Sequence, residues 1–110
     1  MSESINEIAA ICQPQPDLVK MMAALGHETR LQVFKISVEI GQKGTCPCHI
    51  AEALKIARNN LSFHLNLLTQ AGLAEVKREG KYLYYSPNLE NLRRLTDYLW
   101  AEQGLSLIHI

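Results

Sequence analysis

The sequence predicts a mainly α-helical domain with one small β-hairpin, in the order α-α-β-α-α-β-β-α. Apolar residues recur at helical spacing in five segments, and glycine residues close several of these segments. A short segment near residue 80 is instead rich in tyrosine around a glycine turn, which is typical of paired strands. With 110 residues, 47% of them apolar, the chain has room for one packed core.

The first two helices are predicted from their start and stop signals. One begins near Pro16 and ends at Gly26, and the next covers about Glu28–Ile40 with Gly41 as its stop. Each helix is expected to turn one apolar face to the core. The residues predicted for these faces are Leu18, Met21, Met22 and Leu25 in the first helix, and Leu31, Phe34 and Val38 in the second.

Two further helices joined by a tight turn occupy the middle of the chain. An extended piece at residues 45–47 is predicted because Cys46 precedes a proline, which disfavours helical backbone there. A short helix over residues 48–54 follows, and a turn at residues 56–57 leads into a longer helix over Arg58–Gln70. This is the arrangement of a helix-turn-helix.

The longer of these helices has two different faces. Leu61, Leu65 and Leu68 are spaced at i, i+4 and i+7, which predicts the face that packs on the core. The other face carries side chains suited to base edges and phosphates in the major groove of DNA, although an ordinary solvated helix face would also be polar. The candidate DNA contacts are Arg58, Asn59, Asn60, Ser62, Phe63, Asn66 and, near the boundary with the core face, His64.

A β-hairpin is predicted after this helix. Its strands cover residues 73–78 and 81–86, with the turn at Glu79-Gly80. Basic side chains flank the turn, and a hairpin tip of this kind can contact phosphates or the minor groove. Charged residues can also protect the edge of a hairpin from aggregation, and the two roles are compatible. The basic residues are Lys77, Arg78 and Lys81.

The last helix is predicted to begin at Ser86-Pro87, with the serine as its cap and the proline in its first turn. Leu92, Leu95 and Leu99 share one face of this helix. The first and last helices both carry more apolar residues than a lone domain of this size would bury. We therefore expect a symmetric homodimer in which these terminal helices meet.

The predicted order of elements is that of a winged helix-turn-helix, a fold whose partner is double-stranded DNA. The formal net charge of the whole chain is zero, but its distribution is uneven. Residues 55–81 contain five Lys or Arg against two Glu, a net charge of +3, whereas the flanking segments are both negative. The positive charge thus coincides with the predicted DNA-binding elements, as contact with phosphates requires.

Composition also limits the classes of protein. The sequence has no membrane-spanning segment and no signal peptide at its start, so we expect a cytoplasmic protein. Three cysteines, an odd number, indicate free thiols or metal ligands rather than structural disulfides. Cys46-Pro47-Cys48 is one residue too short for a thiol oxidoreductase motif and lacks a βαβ context, so we predict that the protein is not an enzyme.

Four motifs, in this order and spacing, resemble the ArsR/SmtB family of bacterial metal-sensing repressors. They are Leu25-Gly26-His27-Glu28-Thr29-Arg30-Leu31, Asn60-Leu61-Ser62-Phe63-His64-Leu65, Ala71-Gly72-Leu73 and Arg78-Glu79-Gly80-Lys81-Tyr82-Leu83-Tyr84-Tyr85. The resemblance implies a dimer through the first and last helices and repression of a nearby operon that an inducer relieves. Two positions depart from the family pattern, Ala57 in place of a serine cap and Phe63 where many members have arginine.

The resemblance also suggests the inducer. In the family's arsenic, antimony and cadmium/lead sensors, a Cys-x-Cys opens the first helix of the helix-turn-helix, and Cys46 and Cys48 are similarly placed. Thiolates are soft ligands suited to trivalent arsenic or antimony and to cadmium or lead. Cys12 is the remaining candidate for a third ligand, and no obligatory cofactor is expected. The last helix carries no histidine within residues 16–102, so a zinc site there is not predicted.

Two alternatives remain open at this point. The same cysteines could sense oxidants or sulfide by forming a disulfide or polysulfide link, or the protein could bind DNA without any inducer.

The predicted domain covers residues 16–102, between an N-terminal segment at residues 1–15 and a tail at residues 103–110. From Leu105 onward the tail resembles the translation of a transposon end used in sequencing libraries, and we interpret it as an artefact.

Overall fold

The computed structural model describes residues 15–100, which form five helices and one two-stranded antiparallel sheet. The elements are α1 (Pro16–Leu25), α2 (Glu28–Ile40), α3 (Pro47–Leu54), α4 (Arg58–Gln70), β1 (Ala74–Glu79), β2 (Tyr82–Pro87) and α5 (Leu89–Trp100). Thr45 adds a single bridge to Tyr85, which is the short extended piece expected before α3. The predicted fold class is confirmed. The ends of the predicted domain at residues 101–102, the tail and the segment before Gln15 lie outside the described residues.

The starts of α2 and α3 follow from their local sequence. His27 caps α2, since its ring nitrogen Nδ1 accepts a hydrogen bond from the backbone N–H of Thr29 at 3.1 Å. Helix α3 begins at Pro47, one residue earlier than predicted, because proline has the backbone angle of a first helical residue and needs no hydrogen-bond partner for its nitrogen. Cys46 is therefore the N-cap residue of α3.

The core lies where the helices α1 to α5 and the hairpin meet, and two predicted core residues are not part of it. Met22 and Leu31 are 43% and 50% exposed. Ala24 and Val33 are buried in their place. Helices α1 and α2 carry apolar residues on more than one face, so spacing alone did not determine which face packs.

The predicted start of the last helix is wrong. Ser86 and Pro87 belong to β2, where Pro87 pairs with Ala74, and α5 begins two residues later at Leu89. Asn88 takes the capping role, because its Oδ1 accepts a hydrogen bond from the backbone N–H of Asn91 at 3.0 Å. Strand pairing extended β2 through the serine-proline pair and so displaced the helix start.

The hairpin register places Glu79 opposite Tyr82, so the connecting loop consists of Gly80 and Lys81. The turn thus lies one residue later than predicted. Gly80 has a φ of +64°, a backbone conformation that glycine adopts without steric cost.

Within residues 15–100, no helix has the length and apolar character that a membrane span requires.

Candidate DNA interface and thiol pair

Helix α4 is held against the core by its apolar side. Leu61, Leu65 and Leu68 are each at most 2% exposed, and the helix contacts α1, α2, α3 and β1. The predicted core face is therefore confirmed. Because this side is fixed, the opposite side of α4 must face away from the domain.

The exposed side of α4 carries most of the predicted DNA contacts. At about 100° per residue, Asn59, Ser62, Phe63 and Asn66 project from one side of the helix, and all four are exposed. Phe63 is 59% exposed. Arg58 and Asn60, at the start of α4, are exposed as well. The side chain of Asn59 is engaged locally, since its Oδ1 accepts a hydrogen bond from the backbone N–H of Asn60.

His64 is placed differently from the other candidates. It is half-buried, and its Nδ1 lies 3.4 Å from the guanidinium of Arg30. Its ring centroid is 4.9 Å from that of His27. Arg30 in turn donates a hydrogen bond of 2.7 Å from Nε to the backbone carbonyl of Ala24. His64 thus connects α4 to the junction of α1 and α2, as its spacing of three residues from Leu61 would indicate.

This environment disfavours a charged His64. Burial lowers the pKa of His64 below its usual value, and the neighbouring His27 and Arg30 lower it further. The imidazole is therefore neutral at pH 7 and acts here as a packed, hydrogen-bonding ring.

The hairpin presents exposed basic residues on both of its faces. Lys77, Arg78 and Lys81 are exposed, and Lys77 and Arg78, as consecutive strand residues, project to opposite faces. The ion pairs within residues 15–100 are Lys35–Glu39 and Asp17–Arg94. Within this part of the chain, none of the three basic hairpin residues is paired with a carboxylate. The Lys81 ammonium lies 5.9 Å from the ring centroid of Tyr82.

Cys46 and Cys48 come together at the start of α3. Their sulfur atoms lie 2.6 Å apart, and both residues are half-buried free thiols. The hydrogen bond between the two thiols lowers the pKa of Cys46 and raises the pKa of Cys48. A thiol that donates a hydrogen bond to its neighbour in this way stabilises the neighbour as a thiolate.

The thiol pair borders both predicted DNA-binding elements. A groove of about 420 Å³ is lined by the two cysteines together with Arg58 and Ser62 of α4 and Tyr82 of the hairpin. A second groove on the pair is lined by Tyr82 and Tyr84 of the hairpin, by His49 of α3 and by residues at the end of α2 and in the loop before α3. Tyr82 was not among the predicted site residues, because nothing in the sequence relates it to the cysteines without the hairpin register.

A complete metal site is not assembled within the described part of the chain. No group of three or more His, Cys, Asp or Glu side chains in residues 15–100 could hold an ion. Cys12, the predicted third ligand, lies outside the described residues. The two thiols fit a soft ion in type and position, and they supply two of the three ligands that a trigonal arsenic site needs.

Known proteins resemble this chain in sequence. Residues 27–76 match the family model of bacterial regulatory proteins of the arsR family. The chain is 32% identical over 88 residues to a cadmium resistance transcriptional regulatory protein CadC homolog of Staphylococcus aureus, covering 79% of this chain and 70% of the relative. It is 33% identical over 73 residues to the arsenical resistance operon repressor of Bacillus subtilis, covering 66% and 67%.

Solved structures resemble it in fold. An ArsR-like transcriptional regulator from Rhodococcus superposes with a TM-score of 0.67 at 26% identity, covering 84% of this chain and 87% of that one. The homodimeric winged helix-turn-helix DNA-binding domain of a possible ArsR-family regulator from Mycobacterium bovis superposes with a TM-score of 0.64 at 26% identity, covering 86% and 84%. The chain belongs to the ArsR family of bacterial regulatory proteins and is a DNA-binding transcriptional regulator with a winged helix-turn-helix fold.

Proposed function

We propose that a homodimer of this chain represses transcription by binding operator DNA and that a soft metal or metalloid ion releases it. The ion, arsenite or antimonite or else cadmium or lead, binds Cys46, Cys48 and Cys12. The observation that carries this proposal is the contact between the Cys46 and Cys48 sulfur atoms beside the DNA-binding elements.

The exposed apolar residues of the terminal helices support a dimer. Val19 and Met22 on α1 are 49% and 43% exposed, and Leu99 on α5 is 58% exposed. Helices α1 and α5 contact each other within the chain, so these residues belong to one end of the domain. A second copy related by a twofold axis would cover them, and the homodimeric relative from Mycobacterium bovis has the same fold.

The DNA contacts are divided between α4 and the hairpin. Asn59, Ser62 and Asn66 are suited to base edges when α4 lies in the major groove. Arg58 and Asn60 at the start of α4, with Lys77, Arg78 and Lys81 of the hairpin, are suited to phosphates. Phe63 is assigned an apolar contact. His64, which packs inward, positions α4 rather than contacting bases.

Soft ions are the inducers that the donor set favours. Two thiolates at a helix N-terminus bind arsenic(III), antimony(III), cadmium or lead more readily than hard cations. Trivalent arsenic takes three thiolates, each thiol proton leaving with an arsenic hydroxyl as water, so Cys12 would complete the set. Two relatives are named for arsenical and cadmium resistance, which agrees with this choice.

The position of the pair suggests how the ion acts. Cys46 is the N-cap of α3, α3 packs against α4, and Arg58 and Ser62 border the two thiols. Gathering a third thiolate there shifts α3 and, through it, α4. The ion weakens DNA binding if it prefers the arrangement that DNA does not, and DNA must then weaken ion binding by the same factor.

Release from DNA tests the proposal. Binding of a fluorescent operator duplex is followed by anisotropy while arsenite or cadmium is added under a thiol-free reductant. The wild-type dimer should leave the DNA, with thiolate-to-metal absorption rising in step for cadmium. Cys46→Ser and Cys48→Ser should bind DNA normally and resist release, and Cys12→Ser should need a higher ion concentration. Zinc should act weakly.

Three outcomes would contradict this assignment. A Cys46→Ser/Cys48→Ser double variant that still responds fully to arsenite would place the sensing thiols elsewhere. Release by an oxidant or polysulfide, with no response to arsenite or cadmium, would favour the redox or sulfide sensor with the same fold. Binding that neither treatment changes would favour a regulator without an inducer.

A further inference from the structure

Phe63 is an exception on the exposed side of α4. It is 59% exposed, although its neighbours on that side, Asn59, Ser62 and Asn66, are all polar. A large aromatic side chain in water forgoes the favourable burial of its apolar surface. Its position in the middle of a DNA-binding face favours an apolar group of the DNA as its partner.

The ring of Phe63 is held in place by a connected set of contacts. It makes an edge contact with His64, with ring centroids 5.5 Å apart and planes at 65°. The Nδ1 atom of His64 lies 3.4 Å from the Arg30 guanidinium, and Arg30 Nε donates a hydrogen bond of 2.7 Å to the Ala24 carbonyl. The contact with His64 restricts the ring, which lowers the entropy lost when DNA covers it.

The major groove offers one apolar group for such a ring. Base edges there present hydrogen-bond donors and acceptors, and the C5-methyl of thymine is the exception. Arg58 at the start of α4 and the hairpin cations Lys77, Arg78 and Lys81 are exposed, and they favour DNA over an apolar protein partner at this surface.

We infer that Phe63 packs against the C5-methyl group of a thymine in each operator half-site and determines the preference for thymine at that position. This inference rests on the DNA-binding role of α4 and does not depend on the inducer. A fully buried methyl or methylene group contributes a factor of about four in affinity, which sets the scale of the expected preference.

Deoxyuridine substitution tests this directly, because uracil lacks only the methyl group and keeps the O4 acceptor and base pairing. The duplex that the wild-type protein binds most tightly is first selected from a random pool. Variants of this duplex then carry deoxyuridine in place of thymine at one position of each half-site at a time. Wild-type affinity should fall roughly fourfold for each methyl lost at one thymine position. Phe63→Ala should bind the thymine and uracil duplexes equally at that position, and Phe63→Leu should keep part of the preference.

Asn66→Ala is the matched control on the same face. It should lower affinity for both duplexes while leaving their ratio unchanged. A wild-type protein that does not distinguish uracil from thymine at any position, or a Phe63→Ala variant that keeps the full preference, would overturn the inference. Failure of arsenite to release the wild-type protein would contradict the inducer proposal and leave this one intact.

Discussion

Helices α4 and α5 have similar lengths, 13 and 12 residues, but they use their apolar residues differently. In α4 the leucines Leu61, Leu65 and Leu68 are all at most 2% exposed. In α5 Leu95 is 3% exposed, whereas Leu99 is 58% exposed. The leucine face of α4 is covered within its own chain, whereas α5 leaves an apolar face uncovered by residues 15–100.

The difference separates two roles that the same helical spacing can serve. Helix α4 is fixed on one side, so its other side can present polar groups at defined positions. Helix α5 leaves apolar surface at the end of the domain, which favours association with a second copy. An apolar stripe therefore predicts a helix, but it does not say whether the partner lies in the same chain.

The largest effect is expected at α5. Leu99→Asp places a charge in the proposed dimer interface and should weaken dimerisation by about 2 kcal/mol or more, roughly thirtyfold. Sedimentation equilibrium measures this change, and operator affinity should fall with it. Leu31→Asp on α2, a leucine that is 50% exposed, is the matched control and should leave the dimer intact. If Leu31→Asp dissociates the dimer and Leu99→Asp does not, the contrast between the helices is misassigned.

The polar side of α4 should contribute to sequence discrimination, whereas the hairpin should contribute to affinity for DNA of any sequence. Asn66→Ala should cost about 1–3 kcal/mol of discrimination between operator and random DNA, because a base contact is lost. Arg78→Ala should weaken binding to operator and to random DNA equally, and it should reduce the slope of log affinity against log salt concentration by about one unit. Titrations at several salt concentrations distinguish the two. Equal losses on both DNAs for Asn66→Ala would instead assign it to the DNA backbone.

The starts of the two helices also differ. Ala57, the N-cap of α4, makes no side-chain capping bond, whereas Asn88 caps α5. Ala57→Ser should raise the free energy of unfolding by about 1 kcal/mol, since its hydroxyl can accept a hydrogen bond from the first turn. Denaturant unfolding measures this, with Ala53→Ser on α3 as a control that should not stabilise. An unchanged stability for Ala57→Ser would show that the Asn59 side chain already satisfies this helix start.

The smallest effect is expected from His64, a titratable residue that α4 turns inward against His27 and Arg30. Its pKa is lowered in the folded state, so as pH falls below its usual value of 6.5 the unfolded chain takes up the proton first. Stability should therefore decrease from about pH 6.5 down to the lowered pKa and then level off with respect to this group. His64→Gln should flatten that part of the curve. A wild-type stability that is constant across it would contradict the packed, neutral ring.

Local signals accounted for most of the elements. Gly41 ends α2 and the spacing of Leu61, Leu65 and Leu68 gave the core face of α4, as predicted. Errors occurred where a tertiary contact overruled a local signal. The serine-proline pair at residues 86–87 has the composition of a helix start, yet pairing with Ala74 extended the strand through it.

The candidate site was predictable in its residue types more than in its arrangement. Cys46 and Cys48 were identified from the resemblance to the family's Cys-x-Cys sensors, and their sulfur atoms lie 2.6 Å apart. Tyr82 was missed, because only the hairpin register brings it to the thiol pair. His64 was predicted as a DNA contact near the boundary with the core face, but it packs against Arg30 and His27, and these contacts depend on how α1 and α2 join.

The sequence by itself determined the fold class, the order of elements, the basic segment and the paired thiols, because periodicity, glycine stops and residue chemistry act over a few neighbouring residues. The tertiary structure decided which apolar faces are buried, where β2 gives way to α5, and that the thiols share a groove with Arg58, Ser62 and Tyr82. These features depend on residues far apart in the chain, whose contacts exist only after the helices and the hairpin have packed on one core.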